Sequence, residues 1–159
     1  MISLAGQRAV VTGGSRGIGA ATAMLLARAG ADVGIGYHSR SSDAEAMVQT
    51  LVAFGVRAFA FGGDLATPDA NDAFVQQGLE AFGGLDIFVG NSGVWPPHPL
   101  GVDAMDDRRW RRTLSVNLDG MFFGARAAAR VMSSGGRMIF VSSTAGQRGE
   151  AGHADYAAT

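Results

Sequence analysis

No cysteine occurs in the 159-residue chain, which excludes disulfides, thiolate metal sites and a cysteine nucleophile together. Charge of one sign is also lacking. Thirteen basic and 14 acidic side chains leave a formal net charge of −1, so no field collects nucleic acid or an anionic membrane. No apolar stretch approaches the ~20 residues that cross a bilayer. Met1 leads into a strand-like run without the basic and apolar regions of a signal peptide. These absences read as a soluble, cytoplasmic chain forming one domain over residues 1–159, long enough to bury a core. With 47% hydrophobic and 17% charged residues it carries no signature of disorder. Glycine is what it has in excess: 24 residues, roughly double the usual ~7%, placed at the ends of apolar runs. That placement suggests tight turns between short elements and backbone that comes close to a ligand.

The apolar runs alternate in kind. Gln7–Thr12, Asp32–Tyr37, Arg57–Gly62, Leu85–Gly90 and Arg137–Ser142 read as strands, and none shows polar alternation. Helices are expected between them. The first, Ile18–Ala29, has an apolar stripe at Ile18, Thr22, Leu25, Leu26 and Ala29. The second is Ser42–Phe54. The third enters at Thr67-Pro68 and buries Val75, Leu79 and Phe82. A long fourth is marked by Leu114, Leu118, Met121, Phe122 and Ala125. Parallel strands joined by right-handed helical crossovers make an open, doubly wound α/β sheet, a Rossmann-type three-layer fold. Ligands of such sheets bind at the carboxyl ends of the strands.

"VVTGGSRGIGA" falls between the first strand and the first helix. Its Gly13, Gly17 and Gly19 follow a G-x-x-x-G-x-G spacing. Glycine there lets the chain turn off the strand, and lets N–H groups of Ser15, Arg16, Ile18 and their neighbours approach a pyrophosphate at the helix N-terminus. An ATPase loop fits poorly, because Ala20-Ala21 stand where Lys-Ser/Thr is required. The alternative is an ordinary glycine-rich turn.

On these motifs the sequence resembles the short-chain dehydrogenases/reductases of the classical type, over its whole length. "TGGSRGIG" (Thr12 to Gly19) is similar to their cofactor loop, and "GD" (Gly63, Asp64) to their adenine-contacting turn. "GNSG" (Gly90 to Gly93) resembles their N-N-A-G segment. "SVNLDG" (Ser115 to Gly120), "VSSTAG" and "YAAT" resemble the asparagine helix, the serine strand and the start of Y-x-x-x-K. The resemblance implies a nicotinamide dinucleotide, with Asp64 bonding the adenine, Leu65 packing beside it, and Asn91, Ser92 and Gly93 lying along it. Gly90 departs from the usual asparagine and puts a side-chain brace beneath the strand end in doubt. Ser92 departs from alanine, a tolerable change.

After the second strand "GYHSRSS" carries Tyr37, Ser39, Arg40 and Ser41, with no carboxylate between Asp32 and Asp43. An acid there would repel a 2′-phosphate. Arg40, the two serine hydroxyls and Arg16 suit one. The expected cofactor is therefore NADP(H) in preference to NAD(H), unless both arginines are simply solvated.

Reduction of a carbonyl needs a donor for the developing oxyanion, and a phenol, with a free pKa near ~10, stays protonated for the task. By resemblance Tyr156 is that phenol, Ser143 orients the carbonyl, and Asn117 completes a proton path. Ser143 is preferred to Ser142, which would point the other way in a strand. The expected partner is a small carbonyl or secondary alcohol substrate, a 3-oxoacyl thioester being the most common in the family. A sugar or steroid alcohol is the alternative. The motif lysine would stand at position 160, one beyond Thr159. The family also continues with further strands and a substrate-covering segment, so the expectation is a piece of a longer reductase whose fifth strand is left as an open edge. The other reading of a chain ending at Thr159 is a non-catalytic dinucleotide-binding module. A homodimer or homotetramer is implied through the asparagine and tyrosine helices.

Other features read blandly. "DDRRWRR" (Asp106 to Arg112) is expected to be a solvated helix face, with its aspartates at the helix N-terminus. Trp95, in the Pro-rich loop, lines a pocket or caps the core. His98 and His153 are loop residues without metal-ligand companions, and no metal is expected.

Overall fold

The protein was analysed as a computed structural model that describes residues 2–159. In chain order the elements are β1 (Arg8–Thr12), α1 (Gly17–Arg28), β2 (Asp32–Tyr37), α2 (Ser41–Val52), β3 (Ala58–Gly62), α3 (Pro68–Phe82) and β4 (Ile87–Gly90). An irregular loop then leads to α4 (Asp107–Leu114), a π-helical turn (Ser115–Asp119), α5 (Gly120–Ala129), β5 (Arg137–Phe140) and two single-turn helices, α6 (Ala145–Arg148) and α7 (Ala154–Ala157). β1, β3 and β4 begin a residue or two later than their apolar runs, and β5 ends two residues earlier.

The sheet is parallel throughout, in the order β3-β2-β1-β4-β5. Successive strand residues point to opposite faces. Ala9, Val11, Ile87 and Val89 therefore pack with α1 and α2, while Val10 and Phe88 pack with α3 and α5. This is the doubly wound arrangement expected. The chain leaves β1 in one direction to reach β2 and crosses to the other side of β1 to reach β4. That reversal opens a crevice at the carboxyl ends of β1 and β4. Among the described residues β5 pairs only with β4 and is exposed along its length, an edge strand.

Two helix faces differ from the periodic reading. α1 buries Gly19, Ala20, Ala23 and Ala27, while Ile18 and Leu25 are 64% and 65% exposed. Small residues let the helix axis approach the sheet, and that close approach buries more backbone and methyl surface than a leucine seam held further off. The same occurs after α4. Thr113, Asn117, Gly120, Gly124, Ala127 and Ala128 face inward, and the expected stripe residues Leu118 and Phe122 are exposed. α3 follows expectation more closely: Val75 and Phe82 are buried and Leu79 packs against the same core.

Candidate active site

The glycine loop is built around two side chains from neighbouring strand ends. The Thr12 hydroxyl, buried at the end of β1, accepts the N–H groups of Asn91 (2.8 Å) and Ser92 (2.9 Å). In return the Asn91 side-chain amide donates to the carbonyls of Thr12 (2.9 Å) and Gly13 (3.3 Å). The brace placed in doubt by Gly90 is thus supplied one residue later. A side chain on Gly90 would run into Met121 and Phe140. Gly17 takes a left-handed φ of +58° with open space beside it. Gly19 is the opposite case, since a Cβ there would collide with the Gly13 carbonyl and the Asn91 amide. Gly19 thus packs the loop closely, with its neighbours Gly17 and Ile18 lining the cleft. Arg16 caps α1 with backbone only, so the first-turn N–H groups look outward for an acceptor.

A cleft of about 380 Å³ runs from this loop. Gly13, Ser15, Arg16, Gly17 and Ile18 form one wall, and Tyr37, Ser39 and Arg40 line it at the end of β2. Asp64 and Leu65 follow β3, and Asn91, Ser92 and Gly93 follow β4. Of the expected dinucleotide residues all but Gly19 and Tyr156 line this cleft, and Tyr156 lines the one described next. Leu65 is mostly committed to the core under α3. Arg40, expected to be free for phosphate, is paired with Asp43 at 3.1 Å, an exposed contact that a stronger anion can displace. Asp64 is engaged as well: its carboxylate accepts from Ala66 N–H (3.2 Å) and from Arg112 (3.3 Å). Burial favours its protonated form but is outweighed by the Ala66 hydrogen bond, by the charge and hydrogen bond of Arg112, and by the charge of His38, so its pKa is lowered. Arg112 and His38 were not anticipated in this wall.

A second cleft of about 340 Å³ shares Ile18, Asn91, Ser92, Gly93 and Val94 with the first, so one groove crosses the ligand face. Asn117, Ser142, Ser143 and Tyr156 line its far end. Asn117 sits on the π-helical turn and is buried. Its Oδ1 accepts the Val94 N–H (2.8 Å), and its Nδ2 donates to the Val94 carbonyl (3.0 Å) and to Thr159 Oγ1 (3.3 Å). Single π turns recur at functional sites because the extra residue re-aims the side chains around it. Both serines lie beyond the end of β5, so strand alternation does not separate them. Ser143 differs in being partly buried, with its hydroxyl oxygen accepting the Ala145 N–H at 3.2 Å.

Tyr156 rides on α7, its ring edge-on to Trp95 at 4.6 Å between centroids. Trp95 in turn stacks on His153 at 4.1 Å. His153 is not a loop bystander. It is buried at the start of α7, with its ring nitrogens 3.2 Å from the Ala151 carbonyl and 3.0 Å from that of Pro96. Trp95 lines the second cleft.

The arginine-rich stretch is also only partly a solvated face. Arg109 reaches Asp155 through Nε (3.0 Å), with side chains 18% and 0% exposed. Thr113 Oγ1 donates to the same carboxylate at 2.8 Å. Burial favours protonation of Asp155, yet hydrogen bonds from Arg109 and Thr113, the Arg109 charge and the Tyr156 N–H hold its pKa below the ordinary value. Nothing in local spacing marks Arg109 among its arginine neighbours, because its partner lies 46 residues away. Asp106 and Asp107 do stand at the start of α4, with the Asp106 carboxylate accepting the Arg109 N–H at 2.7 Å. Among the described residues there is no cluster of three or more His, Cys, Asp or Glu able to hold a metal ion, and no helix long and apolar enough to cross a membrane.

The short chain dehydrogenase family matches residues 7–159. A 3-oxoacyl-[acyl-carrier-protein] reductase of Synechocystis sp. is 36% identical over 99% of this chain and 64% of its own length. An L-rhamnose 1-dehydrogenase (NAD(P)(+)) of a Sphingomonas species is 40% identical over 88% of the chain and 56% of its own length. Among solved structures, a short chain dehydrogenase from Burkholderia cenocepacia, in complex with NADP, superposes with a TM-score of 0.92. It is 43% identical, over 98% of this chain and 63% of that one. The chain thus spans somewhat under two thirds of the length of these relatives. With its parallel sheet, braced glycine loop and groove ending at Tyr156, the chain belongs to the short chain dehydrogenase family.

Proposed function

We propose that the chain is the dinucleotide-binding and proton-handling part of an NADP(H)-dependent oxidoreductase acting on a carbonyl or secondary alcohol. The observation that carries this reading is the single groove from the glycine loop to Tyr156, continuous through Asn91, Ser92 and Gly93. The residues fit the cofactor: uncapped N–H groups at the start of α1 suit its pyrophosphate, and Gly17 leaves room for close approach. Arg16, Ser39 and Arg40 suit a 2′-phosphate, and none of the residues that line the cleft at the end of β2 is acidic, Asp64 following β3. When bound, the nicotinamide supplies or takes the hydride. The protein's own work is to align the substrate and move a proton. Ser143, on the wall of the second cleft, donates its hydroxyl hydrogen to the substrate oxygen and fixes its direction. The Tyr156 phenol gives its proton to that oxygen in reduction and takes it back in oxidation. Asn117, its side chain fully committed to Val94 and Thr159, holds the floor of the groove rigid.

A 3-oxoacyl thioester is the first substrate class to try and a sugar the second, since a reductase of the first kind and a dehydrogenase of the second are both relatives. The test is NADPH oxidation by the full-length protein with a small 3-keto ester, beside Tyr156→Phe. Turnover that falls about 10²- to 10⁴-fold in the variant, with dinucleotide affinity retained, is the expected outcome. Dinucleotide binding without turnover on either substrate class points to the binding module instead. Equal preference for NADH and NADPH, unaltered by replacing Arg16 and Arg40, overturns the cofactor assignment.

A further inference from the structure

Tyr156 follows Asp155 on α7, and the helix starts at Ala154 with no side-chain cap at His153. What holds it is Asp155, whose side chain is completely excluded from solvent. Its Oδ2 accepts from Thr113 Oγ1 at 2.8 Å and from Arg109 Nε at 3.0 Å, while Oδ1 faces Arg109 Nη2 at 3.4 Å. Two further donors of Arg109 go to the carbonyls of His98 (2.7 Å) and Gly152 (3.3 Å). One guanidinium thus joins α4, the Pro-rich loop that carries Trp95, and the segment entering α7. α4 continues through the π-helical turn to Asn117. The rod that anchors the phenol's helix is therefore the rod that carries the groove's amide.

We propose that Arg109, Asp155 and Thr113 are positioning residues for the reaction: their buried ion pair sets where the Tyr156 hydroxyl lies relative to Asn117 and Ser143. None of the three lines either cleft, so they act through Tyr156 and not on substrate or cofactor. The planar fork of arginine suits this role, because it fixes angle as well as distance. A general staple would add stability alone. A positioning device makes the chemical step depend on it while the dinucleotide end, built by Thr12 and Asn91, is untouched.

The inference rests on Tyr156 being the proton donor, and the experiment separates the two. In the full-length protein, Arg109→Met, Arg109→Lys, Thr113→Val and Tyr156→Phe are compared by NADPH oxidation and by calorimetric NADPH binding on folded material. Arg109→Met is expected to lower kcat about 10- to 100-fold, the scale of a displacement near 1 Å, with the NADPH Kd within about two-fold of wild type. Arg109→Lys, which keeps the charge without the fork, is expected to recover part of that loss. Wild-type kcat in folded Arg109→Met, alongside an inactive Tyr156→Phe, overturns the positioning role and leaves the phenol's role standing. An active Tyr156→Phe overturns both. Should Arg109→Met not fold, Thr113→Val decides, since it removes a single hydroxyl. A kcat drop of about three-fold or more at constant NADPH Kd supports the proposal, and an unchanged kcat refutes it.

Discussion

The two ends of the groove are assembled in different ways. The dinucleotide end is a short contiguous stretch, Thr12 to Gly19, clamped by bonds that each join a Thr12 or Asn91 side chain to backbone, between two strand ends that the sheet already pairs. The tyrosine end is scattered over Trp95, Arg109, Thr113, Asn117, His153 and Asp155, joined by side chains across 42 to 58 residues. Backbone contacts at a strand end follow from the sheet itself. Side-chain contacts between loops and short helices must each find a partner, and each is a single point of failure. The first end should therefore tolerate changes elsewhere in the chain, and the second should not.

The largest effect expected from breaking this asymmetry is at Asp155. Asp155→Ala leaves Arg109 without its partner in a buried setting, and removing one member of such a pair costs about 3–5 kcal/mol, a large share of a typical stability. Urea unfolding of the full-length protein measures it. Acid should do the same job reversibly. Because the folded-state pKa of Asp155 lies below its unfolded value, its contribution is complete above the free carboxylate range near ~4 and fades as pH falls through the folded value. Asp86, held by hydrogen bonds from Arg8 against a smaller burial penalty, follows the same sign. Asp155→Asn should flatten the acid limb of the stability curve.

Next is the opposite end. Gly19→Val drives a side chain into the Gly13 carbonyl and the Asn91 amide, and overpacking of that kind costs about 1–3 kcal/mol. The loop cannot keep its shape, so calorimetric NADPH affinity should fall about 10- to 100-fold. If it does not, the loop is not the pyrophosphate site. Smallest is Arg112→Ala. Its pair with Asp64 is about half exposed, so melting should change by no more than about 1 kcal/mol, while NADPH affinity reports whether Asp64, the expected adenine contact, works better with or without that partner.

Much of the architecture was legible beforehand for the same reason that the dinucleotide end is robust. The strand runs, their glycine stops and the helices between them depend on neighbours a few residues apart. Facing was less legible. In α1 both Leu25 and Ala23 are apolar, and only the separation from the sheet selects the alanines. From α4 onward the buried positions Thr113, Asn117, Gly120, Gly124 and Ala127 keep a regular helical spacing but are mostly small or polar, so the apolar stripe one residue further on, at Leu118 and Phe122, lies outside. The arginine-rich stretch shows the limit most plainly. Arg108, Arg109, Arg111 and Arg112 are equivalent in composition, yet Arg109 is committed to Asp155, Arg112 to Asp64, and Arg108 and Arg111 are exposed.

By itself the sequence determined the alternation of strands and helices, the glycine turn that frees N–H groups at the start of α1, and the presence of an amide, a hydroxyl and a phenol in the order the chemistry uses. These follow from φ/ψ preferences and periodicity, which are local. Only the tertiary structure decided which helix faces are covered, that Asn91 braces the loop, and that a buried Arg109–Asp155 pair holds the turn carrying Tyr156. Those outcomes depend on how closely elements distant in the chain approach one another, and on which charges are desolvated together when they do.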